Sequence, residues 1–211
     1  MFGTRERGIV DLALRQAGMV SYVQLAELGV TPRMVRRCVG SGEWIGELPC
    51  VVRMYWAEPG WLQRVWAASL WAGPYALLSH RTAAVLLGID CPATEPIEVI
   101  SAAGRSPALW LHVRRERSVN SEREVTAGLP HTSTLKTLFQ LGEVMTGKEV
   151  EQAVRSAVRN GLTSLTALRR TFSKRRTFHG MRGAACLRVV VQRLVDGGEA
   201  SSRADRRDFV C

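Results

Sequence analysis

Three arginines, Arg33, Arg36 and Arg37, stand three and four residues apart in the stretch TPRMVRRCVGS that runs from Thr31 to Ser41. On a helix that spacing gathers the guanidinium groups on one side and leaves Met34, Val35, Cys38 and Val39 for the other. A guanidinium is permanently charged and presents a rigid fork of donors, which suits phosphate oxygens and the paired acceptors on a guanine edge. Thr31 and Ser41 bracket the set with hydroxyls, and Arg53 adds a cation further along. The chemistry open to these residues is non-covalent recognition of a polyanion. Charge alone would fit the plainer alternative, the solvated face of a small helix.

The flanking sequence supplies the elements that must position them. Ser21 with Gln24 forms a capping box and starts a helix whose apolar side carries Leu25 and Leu28. Gly29 ends it where a left-handed backbone is needed. Thr31 then caps the arginine helix, and Pro32 takes its first position, where the missing N–H costs nothing. After Ser41-Gly42, the runs Trp44-Ile45 and Val51–Tyr55 are β-prone and flank a Leu48-Pro49 turn. Helix, Gly-containing turn, basic helix and hairpin is the order of a winged helix-turn-helix. In that arrangement Arg33, Arg36 and Arg37 face the major groove or its phosphates, and Arg53 reaches a phosphate from the wing. A helix over Thr4 to Gly18, with Ile9, Leu12 and Ala13 inward, would support the pair.

A chain of 211 residues with 46% hydrophobic content is long enough to bury a core. No run approaches a membrane span, and the N-terminus lacks a signal-peptide pattern, so a cytoplasmic location is expected. The five cysteines, with no CxxC among them, argue against a disulfide framework or zinc site, and Cys38 and Cys186 read as small core residues. The net charge of +10 is uneven. Residues 1–57 hold seven basic and five acidic side chains, residues 58–130 seven of each, and residues 131–211 fifteen basic and seven acidic. Between Glu151 and Asp196 there is no acid. Arg169, Arg170, Lys174, Arg175, Arg176 and Arg182 therefore form a candidate second basic surface, and a polyanion partner and simple solubility are both open readings of it.

Beyond residue 57 the Glu58-Pro59-Gly60 breaker closes a first domain. Trp61 to Ala72 reads as a mostly apolar helix, Tyr75–Leu78 as a short buried strand, and His80–Leu87 as a helix capped by Ser79. Strands are expected over 97–101 and 109–113, with Leu109, Leu111 and Val113 on one side. Gly128-Leu129-Pro130 reads as a turn. Helices follow over 134–141, 149–159, 164–172 and 183–194, with Asn160-Gly161 and Gly197-Gly198 as stops. Residues 198–211 read as a loose tail. Most of the six tryptophans (Trp44, Trp56, Trp61, Trp66, Trp71 and Trp110) are expected in the core.

Catalysis finds little support. A metal-dependent nuclease needs converging carboxylates, and the pairs Glu149/Glu151 and Asp205/Asp208 read as solvated surface. Ser79-His80 has the residue types of a nucleophile and base, but Ser79 is explained as an N-cap, and adjacent helical residues do not face each other. His112, His131 and His179 lack metal-ligand spacing. No glycine-rich phosphate loop is present. Neither enzyme activity nor a cofactor is expected.

The pieces VSYVQLAELGVTPRMVRRCVGSGEW, ELPCVVR, LLSHRTAAVLLGID and LPHTSTLKTLFQL, with RGAACLRVVV near the end, together resemble the AbiE-type antitoxin family, actinobacterial branch, also described as viral-defence transcriptional regulators. The resemblance covers about residues 5–197. It implies an N-terminal domain that binds double-stranded promoter DNA, and a larger domain that regulates or neutralises a nucleotidyltransferase-type toxin. Two departures stand out: the family wing commonly reads Pro-Gly-Val-Tyr where this chain has Pro49-Cys50-Val51-Val52, and Lys136 stands where an arginine is frequent. Many relatives continue into a Vsr-like endonuclease domain, so a naturally short member and a truncated fusion both remain open.

The expectation is thus an α+β protein: a winged helix-turn-helix over 1–57, a mixed α/β domain with a helical C-terminal part over 58–197, and a tail. Its expected role is a DNA-binding regulator or antitoxin, with a protein-binding antitoxin module and a nuclease remnant as the alternatives.

Overall fold

The computed structural model describes residues 4–92, 95–102, 108–116, 123–173 and 183–207. It is a mixed α+β protein, and the chain divides into two compact units. The first holds residues 1–78 and 93–131, the second residues 79–92 and 132–211. The expected boundary at residue 57 is therefore not where the chain divides. The physical reason is α4 (Trp61–Ala72), which packs on the strands before it and on those after it.

The first unit begins with α1 (Thr4–Arg15), β1 (Met19–Ser21), α2 (Tyr22–Glu27), α3 (Pro32–Gly40), β2 (Trp44–Leu48) and β3 (Val51–Met54). The local signals act as read. Ser21 and Gln24 make the reciprocal capping box, and Thr31 accepts from Met34 N–H with Pro32 opening α3. Gly29 has φ +76, which closes α2 within reach of the next cap. Ile9, Ala13, Val20, Leu25, Val30, Val35, Cys38, Trp44, Val52 and Met54 form one buried cluster. That cluster fixes α3 by its apolar side.

The strand β1 is not evident in the sequence. It pairs antiparallel with β3, Met19 opposite Arg53, while β2 pairs on the other edge of β3, Trp44 opposite Met54. The sheet order is thus β1-β3-β2. Gly18 joins α1 to β1 at φ +84, and a Cβ there would lie 2.2 Å from Ala57 Cβ. Only glycine allows that approach.

A second sheet has the order β6-β5-β4-β8-β7, built from β4 (Leu77–Leu78), β5 (Ile97–Ser101), β6 (Leu111–Arg115), β7 (Arg123–Thr126) and β8 (Leu129–Thr132). β4 runs antiparallel to β5 and parallel to β8, and β5 runs parallel to β6. Leu109 lies before β6 and is exposed, contrary to its expected place in the alternation. The expected turn at Gly128-Leu129-Pro130 is also displaced. Ala127 and Gly128, at φ 50 and 83, connect β7 to β8, and Leu129 and Pro130 are strand. Positive φ at both central residues is the two-residue turn whose twist matches paired strands.

The second unit is helical: α5 (His80–Leu86), α6 (Thr134–Val144), α7 (Gly147–Arg159), α8 (Leu165–Ser173) and α9 (Ala184–Arg207). α5 packs on α6, and α9 packs on α6, α7 and α8. Phe139, Leu138, Leu141, Val154, Leu168 and Leu187 lie at the centre of this core. α9 continues through Gly197-Gly198, where a stop was expected, and takes in most of the supposed tail. The run after the glycines is rich in alanine and arginine, which are strong helix formers.

Among the tryptophans only Trp44 and Trp66 are buried; Trp56 is exposed and Trp61, Trp71 and Trp110 are half-buried, so the core holds fewer than expected. Cys38 is buried, and Cys186 is partly buried against the helical core. No helix among the described residues is long and apolar enough to cross a membrane.

Candidate nucleic-acid interface

α3 divides into two faces, as its sequence dictates. Val35 and Cys38 are buried and Met34 is partly so, while Arg33, Arg36 and Arg37 are all exposed. At 100° per residue the three arginines fall within about a third of the helix circumference. The buried side keeps the helix from rotating, so the cations hold their direction relative to the sheet. Burial, and then the nearby Glu43 carboxylate, push the Cys38 thiol pKa up, leaving it a packing residue rather than a nucleophile.

The polar ends of α3 are partly committed. Thr31 Oγ1 accepts from Met34 N–H at 3.3 Å, which leaves its own hydroxyl hydrogen available to a phosphate. Ser41 is exposed, but its Oγ donates to the Cys38 carbonyl at 3.1 Å and so closes the helix. Val39, assigned to the apolar side, is in fact exposed.

Arg53 does not do what was expected of it. It is buried on β3, its Nε donates to Glu47 Oε2 at 3.2 Å, and its Nη1 donates to the Ala57 carbonyl. The register explains this: Arg53 lies on the central strand, opposite Met19 on one side and Ile45 on the other. The β2–β3 hairpin therefore presents no exposed cation to a phosphate. A cation that sequence reading missed is Arg5. It is exposed near the start of α1, its guanidinium lies 3.7 Å from where a Cβ on Gly29 would be, and its Nη1 is 4.0 Å from Met34 Sδ. It thereby joins the cations near the α2–α3 turn. No local motif marks it, since the approach depends on how α1 packs.

The second basic surface is only partly within view. Arg169 and Arg170 are exposed on α8, whereas Lys174, Arg175, Arg176 and Arg182 lie outside the described residues. Three other cations of this segment are ion-paired, Arg155 with an acid one helical turn away and Arg193 and Arg159 with acids distant in sequence. Glu151 pairs with Arg155 at 2.9 Å and with Arg193 at 3.7 Å, and Asp90 pairs with Arg159 at 2.6 Å. A stretch without acids is therefore not a surface without them.

The remaining chemical candidates resolve as follows. Ser79 and His80 do face each other, against expectation, with Ser79 Oγ 3.0 Å from His80 Nδ1. The reason is backbone geometry: Ser79, just before α5, is extended and His80, its first residue, has φ +50, so neither has regular helical backbone, and Ser79 makes no side-chain cap. His80 Nε2 lies 3.8 Å from Glu143 Oε2, and His80 N–H donates to Gln140 Oε1 at 3.2 Å. Thr132 and Thr137 extend the same buried network. The order of groups is that of a nucleophile, base and acid, but Ser79 is 0% exposed. It is a polar joint in the core. His131 Nε2 is held by Thr126 Oγ1 at 2.8 Å, and among the described residues no group of His, Cys, Asp or Glu could hold a metal. Glu149 is a cap residue and Glu151 an ion-pair hub.

No family model matches this sequence, and no curated protein matches it.

Proposed function

We propose that residues 4–57 act as a winged helix-turn-helix that binds double-stranded DNA, with α3 in the major groove and the protein serving as a transcriptional regulator of the antitoxin kind. One observation carries this reading. Arg33, Arg36 and Arg37 are exposed on one side of a short helix whose other side is locked into a core, directly after a helix and a tight turn. Thr31, Arg5 and the positive N-terminal end of α3 add to the same anion-attracting region. Ser41 is a marginal phosphate donor, since its hydroxyl hydrogen is engaged. Arg53, buried against Glu47 and the Ala57 carbonyl, holds the hairpin and is not a DNA contact in this reading.

The test is a binding titration against the DNA upstream of the protein's own gene, at two salt concentrations, with scrambled DNA as competitor. Tight binding that survives competition and weakens with salt supports a sequence reader. Equal, weak binding to both DNAs overturns it.

A protein-facing antitoxin module is the second reading, with a nucleotidyltransferase-type toxin as its partner. It is favoured by the pairing of Arg155, Arg159 and Arg193 with Glu151 and Asp90, which leaves the second unit less suited to a polyanion than its sequence implies. A neighbouring nucleotidyltransferase gene and a co-purifying complex would support it.

A further inference from the structure

Between α7, the start of α8 and α9 lies an open cavity of about 780 Å³, and every residue lining it belongs to the second unit. Small-molecule sites commonly measure about 300–1,000 Å³ and combine apolar walls with a few convergent polar groups. Here the polar groups are three arginines. Arg155 and Arg159 stand one turn apart on α7, and Arg193 joins them from α9. All three side chains are open to solvent, at 61%, 63% and 66% exposure, so a ligand in the cavity can reach them. Val158 and Leu165 are half-buried and supply apolar wall. Gly197 leaves its part of α9 bare, with nothing within 4 Å of where a Cβ would stand.

Among the described residues Glu151 is the only acid that lines the cavity, so three cations face one carboxylate. Asp90 bonds Arg159 from a neighbouring cavity of about 490 Å³, and three cations against these two acids still leave one positive charge in excess. The ion pairs do not use the arginines up. A guanidinium has five N–H donors, of which Arg155 gives two to Glu151 and Arg159 one to Asp90. Arg193 stands 3.7 Å from Glu151, too far for a hydrogen bond. Pairs as exposed as these are weak, and a better-matched anion displaces them.

We propose that this cavity binds a phosphate monoester with a compact apolar body, its phosphoryl oxygens held by Arg155, Arg159 and Arg193 and its apolar group set against Val158 and Leu165. A phosphate monoester carries a charge of about −1.5 to −2 near pH 7 and three strong acceptor oxygens. That suits three forked donors gathered around one opening. The ligand is one small anion rather than a polyanion, and the proposal holds whether or not the first unit binds DNA.

The experiment is calorimetric titration of the full chain, in phosphate-free buffer of low salt, with phenyl phosphate, inorganic phosphate and phenol. Phenyl phosphate should bind about fivefold or more tighter than inorganic phosphate, because its ring adds apolar contact. It should also bind tighter than phenol, which brings the arginines no charge. Arg155→Gln and Arg159→Gln should each weaken phenyl phosphate about tenfold, the worth of a charge-assisted hydrogen bond, while the protein still unfolds cooperatively. Glu151→Gln, which removes the competing carboxylate, should tighten it. Absence of phenyl phosphate binding at millimolar concentration overturns the proposal, and so does an affinity no better than that of inorganic phosphate or of phenol. Neither result depends on a variant folding. Binding left unaltered by both arginine variants overturns it as well, since the anion would then sit elsewhere on this basic chain.

Discussion

Arg53 Nε and Glu47 Oε2 lie 3.2 Å apart across the β2–β3 hairpin, and both side chains are largely buried, at 11% and 18% exposure. A buried pair broken from one side leaves a charge without its partner, which typically costs about 3 kcal/mol or more. Arg53→Ala should therefore destabilise the first unit by about 3 kcal/mol in chemical denaturation. It should leave the salt dependence of DNA binding unchanged in the remaining folded protein. A lowered salt slope with unaltered stability would return Arg53 to the DNA.

The exposed arginines of α3 should behave in the opposite way. Each one changed to Ala should lower the slope of log K against log salt by about 0.9 for every phosphate contact it makes. Stability should move by no more than about 0.5 kcal/mol, as for ordinary surface positions. Arg5→Ala is predicted to fall in the same class, with a smaller effect. A folded Arg33/Arg36/Arg37 triple variant of unchanged affinity would sink the recognition-helix assignment.

Cys50 occupies the turn of the hairpin at φ +63, in the left-handed region that disfavours a side chain. Glycine would take this backbone conformation without strain. Cys50→Gly should stabilise the protein by about 1 kcal/mol, the ordinary cost of a β-carbon in that region. A rise of about 2–4 °C in Tm is the expected readout for a chain of this size. A fall would mean that the Cys50 side chain contributes contacts worth more than the strain.

Gly142 and Gly183 bring backbone against backbone in the second unit. A Cβ on Gly142 would sit 2.5 Å from the Gly183 carbonyl oxygen, and one on Gly183 would sit 2.1 Å from the Phe139 carbonyl oxygen. Backbone cannot yield as a flexible side chain can. Either glycine changed to Ala should cost about 2–3 kcal/mol by overpacking, and Gly183→Ala more, because its φ is +79. Urea unfolding of the two variants would check both the size and the order.

The sequence makes some of this legible and hides the rest for physical reasons. Ser21 and Thr31 act through atoms within three residues, so these caps, and with them two helix starts, can be read directly. The Thr146 cap is open to the same reading, yet α7 begins at Gly147, ahead of the expected start at residue 149. The two faces of α3 follow from helical period alone. β1 is three residues long and buried throughout, with no alternation to betray it. The β7–β8 turn uses Ala127 before Gly128 rather than an asparagine or aspartate, so its signal is weak. The facing of Ser79 and His80 rests on a positive φ at a histidine, which no local rule foretells. Arg53 is charged yet buried, because its strand is the central one of the β1-β3-β2 sheet, and strand order is not written in a local pattern. That Arg159 is paired depends on Asp90 meeting it, which is a tertiary fact.

The start of α7 offers a prediction with a pH sign. Thr146 N–H donates to Glu149 Oε2 at 2.8 Å, the Thr146 hydroxyl lies 2.8 Å from the same oxygen, and Glu149 N–H donates back to Thr146 Oγ1 at 3.4 Å. The Thr146 backbone donor, then its hydroxyl, hold the Glu149 carboxyl below its ordinary pKa. The folded state therefore takes up a proton there less readily than the unfolded chain does. By linkage, the carboxylate's contribution is complete above the unfolded carboxyl pKa of about 4.3 and is lost as pH falls through the lower folded value. Glu149→Gln should accordingly be less stable than wild type at pH 7, and the gap should narrow as the pH is lowered past about 4. Thr146→Ala should cost stability at both ends of that range, since the acceptor for Glu149 N–H is lost whatever the charge. Denaturation curves for the three proteins at pH 7 and at about pH 3 give the comparison, and a gap that widens toward low pH would contradict the cap as the source of the shift.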